Sequence, residues 1–225
     1  MFYGRLRGKA LRPNQVRLMA DLLPRLTVPG VGRPGDPARA AVDPAALFGD
    51  GRPVWLEIGF GGGEHLADLA AAHPEVGMIG AEPFLNGVAM GLARIEAAGV
   101  GNVRLHPGDA RDLIDLLPDA SLARVYLLYP DPWPKTRHRE RRFMSPENLG
   151  ALARVMAPGA ELRLATDIDD YVRHAMRAAA ETPGFVLEGG PEEWRRAWPG
   201  WRTTRYEAKA LREGRAPSYL RFRRT

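Results

Sequence analysis

A chain of 225 residues that is 45% hydrophobic and 26% charged is long enough to bury one core and too apolar for disorder throughout. It contains no cysteine, which excludes disulfides, thiolate metal sites and any Cys nucleophile, and no apolar run approaches the roughly 18 residues that span a bilayer. The net charge of +5 is unevenly placed: residues 1–30 hold six Lys/Arg against one Asp, and residues 195–225 hold ten against two Glu, leaving an acidic body between two basic ends.

That distribution suits a nucleic-acid footprint confined to one surface, and equally suits solvated Arg-rich tails. The start of the chain, MFYGRLRGKALRPNQ, lacks the apolar core of a secretory signal, so a cytoplasmic protein with no membrane partner is expected. The five histidines never fall in a metal-ligand spacing such as H-x-x-x-H, so no metal is expected either.

In chain order, residues 1–53 read as a basic N-terminal arm, a short amphipathic helix (QVRLMADLL) and a Pro/Gly-rich irregular loop over 28–53. From residue 54 onward, strand-like runs alternate with helical segments. The runs are 54–58, 77–82, 102–106, 123–129, 161–166 and 185–188. The segments between them, 64–73, 84–99, 110–117, 146–159 and 169–181, repeat apolar residues at three and four. Gly99 and Gly159 stand where helix C-caps belong, and Ser145-Pro146 makes an N-cap followed by a proline in the first turn. Such alternation specifies an α/β fold with a doubly wound, mostly parallel sheet. A last alternating run, 218–224, is placed at an edge. The domains expected are therefore 1–53 as appendage and 54–225 as the main α/β body with a basic C-terminal segment.

The first strand leads into Glu57-Ile58-Gly59-Phe60-Gly61-Gly62-Gly63 and then a helix. Glycines there let backbone amides approach a ligand at the carboxyl end of the strand, although a tight strand-to-helix turn needs glycine in any case. Glu82, ending the second strand, can accept both hydroxyls of a ribose. Glu57 would repel a phosphate but suits a sulfonium bearing an ammonium group, and the loop resembles that of S-adenosylmethionine-dependent methyltransferases. After the third strand, Asp109 either sits beside an adenine or caps the next helix, and both roles can hold together.

After the fourth strand comes Pro130-Asp131-Pro132-Trp133-Pro134, followed by Lys135, Arg137, His138, Arg139, Arg141 and Arg142. Prolines fix φ and remove donors, so the loop is stiff and Asp131 is aimed. Trp133 offers a face for base stacking, worth about 1 to 3 kcal/mol per base in nucleic-acid sites. The cations supply phosphate contacts, unless the run is simply a solvated face.

These motifs together resemble the bacterial tRNA (guanine-N7-)-methyltransferases over nearly the whole chain. The resemblance rests on E-I-G-F-G-x-G at Glu57 to Gly63, Glu82, Asp109-Ala110, P-D-P-W-x-K-x-R-H-x-x-R-R at Pro130 to Arg142, Thr166-Asp167 with Tyr171, and T-x-Y-E-x-K at Thr204 to Lys209. Two departures are Glu82-Pro83-Phe84, where a different turn usually follows the acid, and Tyr129, where Phe is common. The resemblance implies a Rossmann-like fold and S-adenosylmethionine bound by Glu57, Gly59, Gly61, Glu82, Asp109 and Asp131, with Asp131 also the catalytic residue. It further implies tRNA held by Lys135, Asp167, Thr204, Arg205, Tyr206 and Glu207, and RNA contacts from Arg137, His138, Arg139, Arg141 and Arg142. The implied target is the variable-loop guanine at position 46 of tRNA; a monomer and a homodimer both remain open.

Guanine N7 carries an in-plane lone pair and loses no proton on methylation, so such a site needs position and field rather than a general base. A covalent pyrimidine C5 mechanism is excluded by the missing cysteine. An N6-adenine or other amino methyltransferase, and an RNA-binding protein that has lost catalysis on the same fold, stay as alternatives.

Overall fold

The structure is a computed structural model and describes residues 4–225; the first three residues of the expected basic arm lie outside the described residues. The chain divides into two compact units, Met1–Leu122 and Ala123–Thr225. Its strands form one seven-stranded mixed sheet in the order β3-β2-β1-β4-β5-β7-β6, with helices between them, as the alternating pattern predicts.

The first unit opens with α1 (Pro13–Asp21) and the single turn α2 (Leu23–Leu26), followed by α3 (Pro44–Phe48). The short amphipathic helix thus exists, starting two residues earlier than its apolar pattern because Pro13 tolerates the first turn. The arm before it is tied to the body. Leu6 O accepts from Leu85 N–H (3.0 Å), and the Asn86 side chain takes Gly8 N–H (2.6 Å) and donates to Lys9 O (2.7 Å).

The stretch 28–53 is irregular but pinned: Val28 N–H donates to Leu105 O, Val42 N–H to Leu116 O, and both valines are buried. α3 within it was not legible from composition, yet Asp43 caps it by accepting from Ala45 N–H at 2.9 Å.

β1 (Val54–Ile58), β2 (Gly77–Ala81) and β3 (Val103–His106) run parallel, with Leu56 opposite Ile79 and Ile79 opposite Arg104. All five residues of β1 and of β2 are buried, which is why they read as apolar runs without alternation. α4 (Glu64–Ala72), α5 (Leu85–Ala98) and α6 (Ala110–Ile114) follow them in turn. Gly99 is the left-handed C-cap of α5, as expected.

The second unit holds β4 (Leu122–Leu128, its first residue belonging to the first unit), α7 (Pro146–Val155), β5 (Met156–Thr166), α8 (Asp169–Ala180), β6 (Phe185–Glu188), α9 (Arg205–Arg212) and β7 (Ser218–Arg224). Ser145 Oγ caps α7 by accepting from Asn148 N–H at 3.3 Å. Two expectations need correction. Gly159 is no C-cap: α7 stops at Val155, Met156 is already extended, and Gly159 (φ +81°) lies inside the eleven-residue β5. Nor is β7 an edge. It pairs antiparallel with β5 on one side and β6 on the other, so both of its polar backbone rows are used and β6 takes the outer place.

Candidate active site

In the first unit the glycine loop follows β1 directly. Gly59 N–H continues the ladder to Ala81 O at 2.8 Å, and Gly59, Gly61 and Gly63 all take positive φ, which side chains other than glycine's adopt only under strain. Glu82, 7% exposed, fastens this loop: Oε2 accepts from Gly61 N–H and Oε1 from Phe84 N–H, each at 2.8 Å. The acid that ends β2 therefore shapes the loop as well as facing it.

Glu57 is buried at the end of β1, and its Oε2 lies 2.8 Å from His65 Nδ1 on α4. Sequence reading assigned His65 no part; its i+8 spacing from Glu57 gives no pattern to find. Asp109 is the N-cap of α6, accepting from Arg111 N–H (3.1 Å) and from the Arg111 guanidinium (2.5 Å to Oδ2). Burial raises its pKa, but the Arg111 contacts outweigh that and hold it below the usual carboxylate range. The capping alternative is therefore realised. His106, at the end of β3, is buried, and that burial, opposed by the charges of Asp112 and Asp109, pushes its pKa down.

In the second unit β4 runs into the proline loop. Tyr129 (φ +49°) and Trp133 (φ +40°) flank Asp131, and both are non-glycine residues in the left-handed region. Backbone strain of this kind persists only where surroundings over-determine it, and it clusters at functional loops. Asp131 is exposed. Lys135 precedes a 3-10 helix over Thr136–Arg141 and is exposed, as is Arg137. The Arg141 guanidinium lies over the Trp133 ring at 5.0 Å, and His138 meets the ring edge-on at 5.8 Å. Arg139 reaches Asp170 Oδ1 at 3.1 Å while staying 41% exposed.

Arg142 departs from the expected RNA-contacting role. Its side chain is 1% exposed, its Nη2 sits 2.6 Å from Asp170 Oδ2, and its Nε donates to Pro132 O at 2.8 Å. A cation turned inward and fully engaged has no surface left for a phosphate.

A second group gathers near α9. Thr204 caps that helix by accepting from Glu207 N–H at 3.2 Å. Glu207 is 4% exposed; it accepts from Trp201 Nε1–H at 2.7 Å and from the Tyr219 hydroxyl. Asp167 lies 2.5 Å from Arg215 Nε. Both acids thus have protein partners, though a carboxylate offers about four acceptor positions and each retains capacity. Arg205 lies over the exposed Tyr206 ring at 4.9 Å. Tyr129 was noted in sequence only as a departure. Burial first, then the charge of Glu207, pushes its phenol pKa well above the ordinary value, so it stays a neutral hydroxyl near the acids.

Residues 51–219 match a protein-family model described as "Putative methyltransferase". The chain is 56% identical over 223 residues to the tRNA (guanine-N(7)-)-methyltransferase of Paracoccus denitrificans, covering 99% of this chain and 94% of that protein. It is 50% identical over 227 residues to the protein of that name in Rhodospirillum rubrum, covering 99% and 87%. The chain belongs to the tRNA (guanine-N(7)-)-methyltransferase family.

Among solved structures, this family member resembles the 16S rRNA methyltransferase KamB at a TM-score of 0.57 and 19% identity, covering 85% of this chain and 96% of that one. TrmN from Thermus thermophilus gives 0.54 and 18%, covering 80% and 47%. Those likenesses establish the methyltransferase fold, and the Rossmann-like expectation holds. The glycine loop, Glu82 and the proline loop of this tRNA (guanine-N(7)-)-methyltransferase family member all fall within the matched residues 51–219.

Proposed function

We propose that this chain transfers the methyl group of S-adenosylmethionine to N7 of guanine in tRNA, at the variable-loop guanine of position 46, in the cytoplasm. The observation that carries the atom and the substrate is identity above half across 99% of the chain to a relative named tRNA (guanine-N(7)-)-methyltransferase, while position 46 rests on the motif resemblance. The first unit suits the cofactor. An added Cβ at Gly59 would meet nothing within 4 Å, so the backbone there lies open to a ligand, and Glu82 presents a carboxylate already aligned by two amides.

In this reading Glu57, Gly59, Gly61, Glu82 and Asp109 hold the cofactor. When bound, it supplies an electrophilic methyl group on a positively charged sulfur. Asp131 stands at the tip of a stiff loop, where its negative charge favours the positive charge that develops on the purine as N7 is alkylated. No residue has to remove a proton, since N7 carries none. Asp167 and the segment Thr204, Arg205, Tyr206 and Glu207 bind the tRNA, with carboxylate acceptors matched to the N1–H and N2–H edge that guanine presents. Lys135, Arg137, His138, Arg139 and Arg141 contact the RNA backbone.

The test is to incubate the protein with unmodified tRNA and methyl-labelled S-adenosylmethionine, digest to nucleosides and identify the product by mass spectrometry. 7-Methylguanosine that vanishes when position 46 is replaced by adenosine is the expected result. N6-methyladenosine would overturn the assignment of the atom, and 7-methylguanosine that survives the replacement would overturn the position.

A further inference from the structure

We propose that Arg142 is a positioning residue for the loop Pro130 to Pro134, clamping it to the first turn of α8 through Asp170. The inference rests on the part given to Asp131 under the proposed function.

The loop has few backbone donors of its own. Three of its five residues are prolines and offer no N–H, while Tyr129 just before it and Trp133 within it hold positive φ that relaxation would remove. Its carbonyls are available as acceptors, and Arg142 takes two of them. Nε donates to Pro132 O at 2.8 Å and Nη2 to Trp133 O at 3.4 Å, on the two residues that follow Asp131. The far side of the guanidinium is fixed in turn: Nη2 lies 2.6 Å from Asp170 Oδ2, Nη1 donates to Asp170 O at 3.4 Å, and the Tyr171 ring lies 5.4 Å from the guanidinium carbon.

One planar, permanently charged group therefore ties the loop to a helix. Lysine cannot replace it, because a single ammonium cannot present separate donors to a carbonyl and a carboxylate in a fixed plane. With the side chain 1% exposed, the position serves the protein's interior and not the RNA. Asp170 also takes Arg139, a cation of the exposed segment, so one carboxylate serves both the buried clamp and the RNA-facing run.

The experiment measures methyl transfer to unmodified tRNA by the full chain and by Arg142→Lys, Asp170→Asn, the double variant and Asp131→Ala. Thermal melting and direct tRNA binding are measured beside it. The expected result is a kcat loss of about 10 to 100-fold in each clamp variant, the scale on which small misplacement of a reacting group acts. The KM for tRNA should stay within about two-fold, and the double variant should be no worse than the poorer single one. Wild-type kcat in folded clamp variants overturns the proposal, and so does a loss that appears in tRNA affinity instead of kcat. If Arg142→Lys shows no cooperative melt, Asp170→Asn decides alone, since that side chain is 35% exposed and the change keeps its shape. Asp131→Ala separates the two readings. Turnover lost there but intact in the clamp variants sinks the clamp alone; turnover intact there but lost in the clamp variants removes the assignment of Asp131 and keeps the positioning of the loop.

Discussion

Gly63, the last residue of the glycine loop, backs directly onto Gly91 in the middle of α5: a Cβ added at Gly63 would stand 2.6 Å from the Gly91 Cα. One turn earlier on the same helix, a Cβ at Gly87 would stand 2.6 Å from Gly61 O. Two glycines on one face of α5 thus let the helix serve as a wall behind the loop. The loop is shaped from two sides, by the Glu82 carboxylate and by α5, whose Arg94 also donates from Nε to Gly62 O at 2.9 Å.

Gly63→Ala therefore meets two penalties at once, a φ of +76° and contact with backbone that cannot move aside. Strain at such a position costs about 1 to 3 kcal/mol, and overpacking a further 1 to 3. The variant should melt well below the wild type in a thermal scan, with S-adenosylmethionine binding weakened at temperatures where it is still folded.

Glu82→Gln keeps the size of the side chain but replaces one acceptor oxygen with an amide NH2, which then faces Gly61 N–H or Phe84 N–H. Losing a hydrogen bond to a charged group costs about 1.5 to 3 kcal/mol. Titration calorimetry should show S-adenosylmethionine affinity reduced by about 10 to 100-fold; unchanged affinity would mean that the loop keeps its shape without this carboxylate.

Much of this was legible in sequence, for reasons that differ between elements. β1 and β2 are buried on both faces and so appear as continuous apolar runs, and Ser145-Pro146 and Gly99 carry their capping chemistry in their own side chains or lack of one. Neighbours distant in sequence are not written that way. The run Lys135 to Arg142 reads as one basic segment, yet whether a given arginine turns outward or inward depends on Asp170, some thirty residues on. The helix α9 is largely polar, so apolar periodicity does not announce it, and Thr204 was expected to bind tRNA, not to form the helix N-cap that it makes. β7 alternates as an edge strand should, but its place in the sheet is set by pairing with β5 and β6, which pattern alone does not specify.

Asp131→Ala should lower kcat by two or more orders of magnitude, within the range seen when a group stabilising transition-state charge is removed. Because Asp131 is exposed, melting and tRNA affinity should stay near wild type. Quench-flow or steady-state labelling with saturating tRNA measures this; wild-type turnover would end the catalytic assignment.

Replacing Arg137 and Arg141 by alanine should weaken tRNA binding and flatten its dependence on salt. Each lost phosphate contact reduces the slope of log K against log salt by about 0.7 to 0.9, so the pair should remove between one and two units. Filter binding at four salt concentrations reads the slope directly. An unchanged slope returns these two cations to a solvated face, whatever happens to activity.

The pH dependence of stability should carry the mark of His106. Burial disfavours its imidazolium, so its folded pKa lies below the value of about 6.5 expected in the unfolded chain. The unfolded state then binds the proton first. Stability linked to this residue is fully present above about pH 6.5 and is lost as pH falls from there toward the depressed folded value. Asp109 and Asp112 act against the shift without reversing it. His174 is shifted in the same direction by its own burial and adds to the same slope. Thermal melts at pH 7.5, 6.5 and 5.5 should show a falling midpoint for the wild type and a smaller fall for His106→Phe, which keeps a ring against Gly108 but cannot titrate. Equal falls in both proteins would place the acid sensitivity elsewhere, with His174→Phe the next variant to measure.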